Sequence, residues 1–298
     1  MRTAAWNKWL KVSFLEFVSQ NVISQAVGRG SDLRLPKPLL RQLLRAFAGV
    51  YRINLDEMAE PLERYETFNQ FFVRALKAGV RPIAASPVVS PADGRLSQFG
   101  PIENGSLLQV KGIRYHVDEL LLGDAESRRY HDGTFFTVYL SPQNYHRVHS
   151  PVDGSISGFR YVPGRLFPVN DLAVANIPSL FTVNERLTSY IDTDFGRAAL
   201  VMVGATSVGR MSLSYAPLET NQGAEALHCR DFDDPIAIRR GEELGRFNLG
   251  STVVVLLPKA ARVVFDRRLS PGCRVKLGEP LMRHADVGDA GTDSTSED

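Results

Sequence analysis

The chain has 298 residues, 44% of them hydrophobic and 23% charged, with a formal net charge of +2. That is enough for a large core in one or two domains, and too near neutrality to point to nucleic acid. The two cysteines, Cys229 and Cys273, are too few for a disulfide framework and lack metal-ligand spacing, so a reducing compartment is expected.

Charge is unevenly placed. Residues 1–50 hold eight basic and two acidic residues, a local balance of +6 that leaves −4 for the remainder. Trp6, Trp9, Leu10, Phe14, Phe17 and Val18 fall on one helical face. A second helix is expected after Pro36 and Pro38, with Leu39, Leu40, Leu43, Leu44 and Phe47 inward and Arg41 and Arg45 beside them. No uncharged apolar run approaches the ~20 residues of a spanning helix, and no signal-peptide pattern is present. Two readings stand: helices packed on their own domain, or a basic amphipathic pair lying on an anionic membrane.

Thr67 is placed to cap a helix carrying Phe68, Phe71, Phe72 and Leu76 on its apolar face, ended by Gly79 and Pro82. Beyond Pro82 the pattern is mostly β, clearest at 134–140, 155–161, 200–204, 207–213 and 252–257. Ser90-Pro-Ala-Asp-Gly-Arg-Leu-Ser97 echoes Ser150-Pro-Val-Asp-Gly-Ser-Ile-Ser157, with five of eight positions identical. A Pro-x-Asp-Gly turn entering a strand is a structural unit, so a β-core of two related halves is expected. The fold class is therefore α+β: N-terminal amphipathic helices (1–64), a β-rich domain (65–285), and an acidic tail (286–298) whose composition predicts disorder.

Three places hold candidate chemistry. Tyr145-His-Arg-Val-His149 sets two histidines three residues apart between strands; His116, His131, His228 and His284 stand singly and read as solvated. The pair suits an acid and a base, or two ordinary loop histidines; with no third ligand evident nearby, no metal is expected there. Asp93 lies in the first Pro-x-Asp-Gly turn. Gly250-Ser251-Thr252 leads into the apolar run Val253–Leu257, which reads as a buried strand. That step is either a turn with local hydroxyl bonds or a reactive serine beside an approachable carbonyl.

Asp93, His149 and Ser251 are together the parts of an activated nucleophile. No Gly-x-Ser-x-Gly elbow is present, which argues against an α/β-hydrolase. A serine hydroxyl can instead attack the preceding carbonyl, here that of Gly250, and shift the chain to an ester. Elimination and hydrolysis then leave a pyruvoyl group, a ketone able to form a Schiff base with an amine and act as an electron sink. A soluble pyruvoyl decarboxylase of a free amino acid, an uncleaved Asp-His-Ser hydrolase and a ligand-binding β-module remain open on these residues alone.

With these motifs the chain resembles the phosphatidylserine decarboxylases, membrane-associated pyruvoyl enzymes of phosphatidylethanolamine synthesis. The likeness runs from about Tyr65 to about Arg283. It rests on Tyr65–Arg74, Ser90–Gly94, Tyr145–His149, Phe167-Pro-Val-Asn170, Asn184-Glu-Arg186, Val203-Gly-Ala-Thr206 and Gly245–Thr252. The resemblance implies a self-processing triad of Asp93, His149 and Ser251 and cleavage between Gly250 and Ser251. It implies that Ser251 becomes the pyruvoyl cofactor and that His146 assists decarboxylation of phosphatidylserine. It further implies α and β fragments of one precursor, a homodimer, and peripheral attachment to the cytoplasmic side of the cell membrane. The apolar stretch Tyr161–Leu172 then either lines the headgroup entrance or belongs to the core.

Overall fold

A computed structural model describes residues 28–285, apart from 111, 124–125, 207–209, 222–225 and 249–250; of Ser251 it describes the backbone. The expected helix around Trp6–Val18, the residue Gly250 and the acidic tail lie outside the described residues.

Helix α1 spans Lys37–Tyr51 and helix α2 spans Phe68–Phe72. Proline suits the first turn of α1, and Arg52, in the left-handed region at φ 53°, ends it by donating its N–H to Ala48 and Gly49. One stripe of α1, Leu40, Leu44 and Ala48, is buried against Met58, Leu62 and Phe71. Leu39 and Leu43 were expected inward, but they lie 52% and 42% exposed. A helix buried on one side covers a stripe about 100° wide, and positions one step before Leu40 and Leu44 fall off its edge. In α2 the Thr67 hydroxyl accepts from the Gln70 N–H, as its position predicts. The helix stops at Phe72, however, and Leu76 instead bridges Met58 in an extended segment. No helix among the described residues is long and apolar enough to cross a membrane.

The rest is mainly β. In chain order the strands are β1 (Val88–Val89), β2 (Gly94–Pro101), β3 (Ser106–Val110), β4 (Ile113–His116), β5 (Thr134–Leu140), β6 (Arg147–His149), β7 (Gly154–Val162) and β8 (Arg186–Thr193). There follow β9 (Gly196–Val203), β10 (Arg210–Leu213), β11 (His228–Ile238), β12 (Glu243–Asn248), β13 (Ser251–Leu257), β14 (Val263–Phe265), β15 (Arg274–Val275) and β16 (Pro280–His284). An eight-stranded sheet has the order β11-β7-β8-β9-β13-β5-β2-β15. Every β13 neighbour is antiparallel, and Val253–Leu257 are fully buried, which is why that strand reads as a continuous apolar run. A smaller sheet orders β10-β12-β6.

The two Pro-x-Asp-Gly turns are related by an approximate twofold. Each leads into a long strand, β2 or β7, and each is closed by its serine: Ser90 Oγ donates to Ala92 O at 2.8 Å, Ser150 Oγ to Val152 O at 2.6 Å. The turns exchange bonds, Val89 N to Pro91's counterpart Pro151 O at 2.9 Å and His149 N to Pro91 O at 2.8 Å. Each aspartate accepts a backbone N–H, Asp93 from Leu277 at 2.9 Å and Asp153 from Arg240 at 2.8 Å. The following glycines, Gly278 and Gly241, both have φ +83°, and a Cβ on either would strike the shared side chain of Ile83. The expected β-core of two related halves is thus present, and its symmetry breaks where His149 in one half matches Val89 in the other.

Candidate active site

Strand register carries the Asp93 and Ser251 motifs to one end of the large sheet, while the histidine motif lies on β6 of the small sheet. Ser251 pairs with Leu140 and Thr252 with Tyr139; Tyr139 in turn pairs with Arg95, two residues past Asp93. Neighbouring strands are about 4.8 Å apart, so the Asp93 turn sits two strands, roughly 10 Å, from the Ser251 backbone. The chain leaves β12 in the small sheet at Asn248 and enters β13 in the large sheet at Ser251. Phe247 N donates to His146 O at 2.9 Å just before that crossing.

His149 is not a solvated loop residue; it ends β6 and is 8% exposed. Its Nδ1 lies 2.8 Å from Gly241 O and its Nε2 3.1 Å from the Tyr145 hydroxyl. A carbonyl can only accept, so Nδ1 carries the proton and Nε2 presents a lone pair, on which the tyrosine hydroxyl rests. Burial pushes its pKa below the ordinary range, against the bond to Gly241 and the charge of Glu243. The result is a neutral imidazole whose Nε2 lone pair is free of a proton.

His146 is fully buried and packs against Phe72 with ring centroids 4.0 Å apart and planes tilted by 37°. Its Nδ1 donates to Asn144 O at 2.8 Å, and its Nε2 is buried with no hydrogen-bond partner. Burial, with a smaller contribution from the Arg74 charge, pushes its pKa down to about 3. An unpartnered buried lone pair is costly, and such atoms concentrate where a substrate or cofactor supplies the missing partner.

Asp93 is held elsewhere than the triad pattern implies. Arg81 clamps both its oxygens, with Nε at 2.9 and 3.1 Å and Nη2 at 2.6 Å, and the same guanidinium reaches Glu57 at 2.7 Å. No Asp93–His149 hydrogen bond occurs among the described residues. Their link is the backbone bond from His149 N to Pro91 O, and the Asp93 charge acts on His149 only as a minor influence. A polar cleft of about 560 Å³ opens here, lined by Arg52, Arg74, Arg81 and Arg274 together with Glu57, Asp93 and Tyr145. A second cleft, of about 310 Å³, borders Thr252 and is walled by Arg95, Tyr139, Val169 and Phe181. Of the Tyr161–Leu172 stretch, Val162, Leu166 and Val169 are core residues, and Val169 also reaches this second cleft.

A family model described as phosphatidylserine decarboxylase matches residues 68–283. The chain belongs to the phosphatidylserine decarboxylase family. A phosphatidylserine decarboxylase proenzyme of Anaeromyxobacter sp. (strain K) is 44% identical over 280 residues, covering 92% of this chain and 98% of the relative. Proenzymes of the same name from Myxococcus xanthus and Vibrio cholerae are 43% and 42% identical, covering 91% and 93% of this chain and 96% and 99% of theirs. This member of the decarboxylase family also uses site residues that the sequence does not single out. Gly241, which accepts from His149, stands 92 residues from it in an ordinary Arg-Gly-Glu turn. Arg81 has no motif of its own. Its only signal is that a buried carboxylate at Asp93 needs a cation.

Proposed function

We propose that this chain decarboxylates phosphatidylserine to phosphatidylethanolamine, after cutting itself between Gly250 and Ser251 to make a pyruvoyl group from Ser251. The observation that carries the reading is the pair of buried, neutral imidazoles at β6, the neighbour of the β12 strand that runs on to Ser251, one with its Nε2 lone pair under a tyrosine hydroxyl and one with an unpartnered Nε2. That orphan nitrogen is the kind of vacancy a ketone-bearing residue and its substrate would fill. When present, the pyruvoyl group supplies a carbonyl that condenses with the substrate amine and draws electrons from the bond to the departing carbon dioxide.

The chain's own groups divide the work. His149 takes the Ser251 hydroxyl proton on Nε2 during processing, once the Tyr145 hydroxyl turns aside, while the Gly241 carbonyl keeps the ring in the right tautomer. Asp93, clamped by Arg81, holds negative charge near the imidazole. His146 faces the turnover step and handles the proton that returns to the substrate α-carbon. The arginine-lined cleft beside Asp93 suits an anionic headgroup.

Residues 1–64 form the membrane-associating region, residues 65–285 the catalytic domain as a homodimer, and residues 286–298 a tail. Attachment is peripheral, on the cytoplasmic side, supported by the +6 balance of residues 1–50 and by Leu39 and Leu43 exposed beside Arg41 and Arg45. Intact-mass measurement combined with carbon dioxide release from phosphatidylserine tests the proposal. An active protein that is entirely uncut overturns self-processing, and a cut protein that releases carbon dioxide from free serine but not from the lipid overturns the substrate.

A further inference from the structure

Two histidines that stand apart in sequence meet at the far end of the sheet from Ser251. His116 ends β4, Asp118 follows two residues later, and His131 lies just before β5. The Asp118 carboxylate offers one oxygen to each ring: Oδ2 is 3.2 Å from His116 Nδ1, and Oδ1 is 3.1 Å from His131 Nε2. The three donors lie within 4.8 Å of one another. Gly105, at φ +79°, makes the space, since a Cβ there would fall 2.5 Å from the His116 ring and 2.8 Å from that of His131. The expectation that these two histidines stand singly is therefore corrected, although both stay partly exposed.

The geometry leaves ring nitrogens and a carboxylate oxygen converging on one place. His116 Nε2 donates to Asn104 O at 3.1 Å, which leaves a lone pair on Nδ1, and the Asp118 N–H points at that lone pair from 3.4 Å. Nδ1 also lies 3.2 Å from a carboxylate oxygen, a contact that a proton on Nδ1 or a cation shared by the two groups would satisfy. A carbonyl-anchored imidazole is the usual outer support of a metal-ligating histidine. The Ser127 hydroxyl donates to Asp118 and fixes the carboxylate between the two rings. Ligand bonds of about 2.0–2.2 Å at tetrahedral angles put donor atoms about 3.3 Å apart, so the three donors, within 4.8 Å of one another, would draw together around one ion.

We propose that His116, Asp118 and His131 bind a divalent ion of the zinc class, with water completing its coordination. Two imidazoles and one carboxylate favour such an ion over magnesium or calcium, which take all-oxygen sets. The side chains are 33–39% exposed, which gives the ion a path in and water a place. The ion ties the β3–β4 hairpin to the approach to β5. Thr134 pairs with Leu257 and Leu140 with Ser251, so about six residues of strand, roughly 20 Å, separate the site from the candidate chemistry. Its effect is on the fold.

The test is zinc binding to untagged, chelator-stripped full-length protein, followed by competition with a chromophoric chelator and by thermal unfolding with and without zinc. One zinc per chain and a higher Tm in zinc are expected. His131→Ala and Asp118→Asn should each weaken binding at least ~10-fold and lose the Tm rise, while their zinc-free Tm reports on the fold. Cobalt(II) in the wild-type protein should give the intense visible bands of a low-coordinate site, a reading that needs no variant. Equal zinc affinity in wild type and both variants overturns the proposal, as does the absence of binding at ~100 µM zinc.

Discussion

His149 takes its orientation from Gly241: Nδ1 donates to that backbone carbonyl at 2.8 Å, in the place where a carboxylate stands in a conventional triad. Asp93 spends its own bonds on Arg81 and on the Leu277 N–H. The two residues should therefore differ in weight. His149→Ala should abolish self-cleavage, because a serine hydroxyl at neutral pH is a poor nucleophile without a base. Asp93→Asn should slow it less, since the ring keeps its tautomer. Gel time courses of both variants check this, and normal cleavage in both would falsify the processing roles.

Ser251→Ala should leave a single uncut chain, because alanine offers no nucleophile. Wild-type protein should give fragments of 250 and 48 residues out of 298, the shorter one blocked to N-terminal sequencing by its keto group. Mass spectrometry decides it.

His146 should matter after cleavage rather than before it. His146→Gln is expected to cut normally and to lose at least ~100-fold in turnover, in keeping with the worth of a positioned proton-transfer group. Turnover within a few-fold of wild type would reduce it to a packing residue against Phe72.

The same residue sets a pH dependence of stability. Its pKa in the folded chain is depressed to about 3, below the ordinary 6.5, so the unfolded chain takes up the proton first as pH falls. The contribution of a neutral buried imidazole is complete above about pH 6.5 and is lost progressively as pH falls toward 3. Between pH 6.5 and 5 this amounts to about 2 kcal/mol. Urea unfolding in the Ser251→Ala background, which keeps one chain, should show a shallower acid slope once His146→Gln is added. Parallel slopes would count against a neutral buried ring.

Arg81 joins Asp93 to Glu57 with side chains 9%, 10% and 25% exposed. Arg81→Met should destabilise the fold by about 3 kcal/mol, because it leaves a buried carboxylate without its cation. Adding Asp93→Asn should recover part of the loss, and a double variant no more stable than Arg81→Met would argue against a charge origin.

Deleting residues 1–30 should weaken sedimentation with anionic vesicles and spare self-cleavage, since Asp93, His149 and Ser251 all lie downstream. Binding of the full chain should fall at high salt without vanishing, because apolar insertion is not screened. Equal sedimentation of both forms would move the contact to the exposed Leu39 and Leu43 of α1.

The motifs were legible because each has a local cause. A Pro-Ala-Asp-Gly turn closes on its own serine, Thr67 caps its own helix, and Val253–Leu257 is apolar because both its neighbours are strands. What escaped depends on distant segments. Leu39 and Leu43 share the spacing of Leu40 and Leu44, and only the positions of Met58 and Leu62 decide which pair is buried. His116 and His131 look alone because the Asn104–Gly105 turn that gathers them carries no mark of its purpose. The Gly241 carbonyl leaves no trace in the sequence, since every residue has one.

The passage from β12 to β13 has a mechanical consequence. A break just before Ser251 would fall after β12 ends in one sheet and before β13 begins in the other, and the downstream piece would carry β13, β14, β15 and β16. Of these, β13 lies between β9 and β5, β15 edges β2, and β16 sits between β1 and β14. The short piece is threaded through the long one, so separating the two after the bond is gone would require unfolding both. If the proposed cleavage occurs, the severed chain would keep its shape through the ladders that hold β13 on both sides.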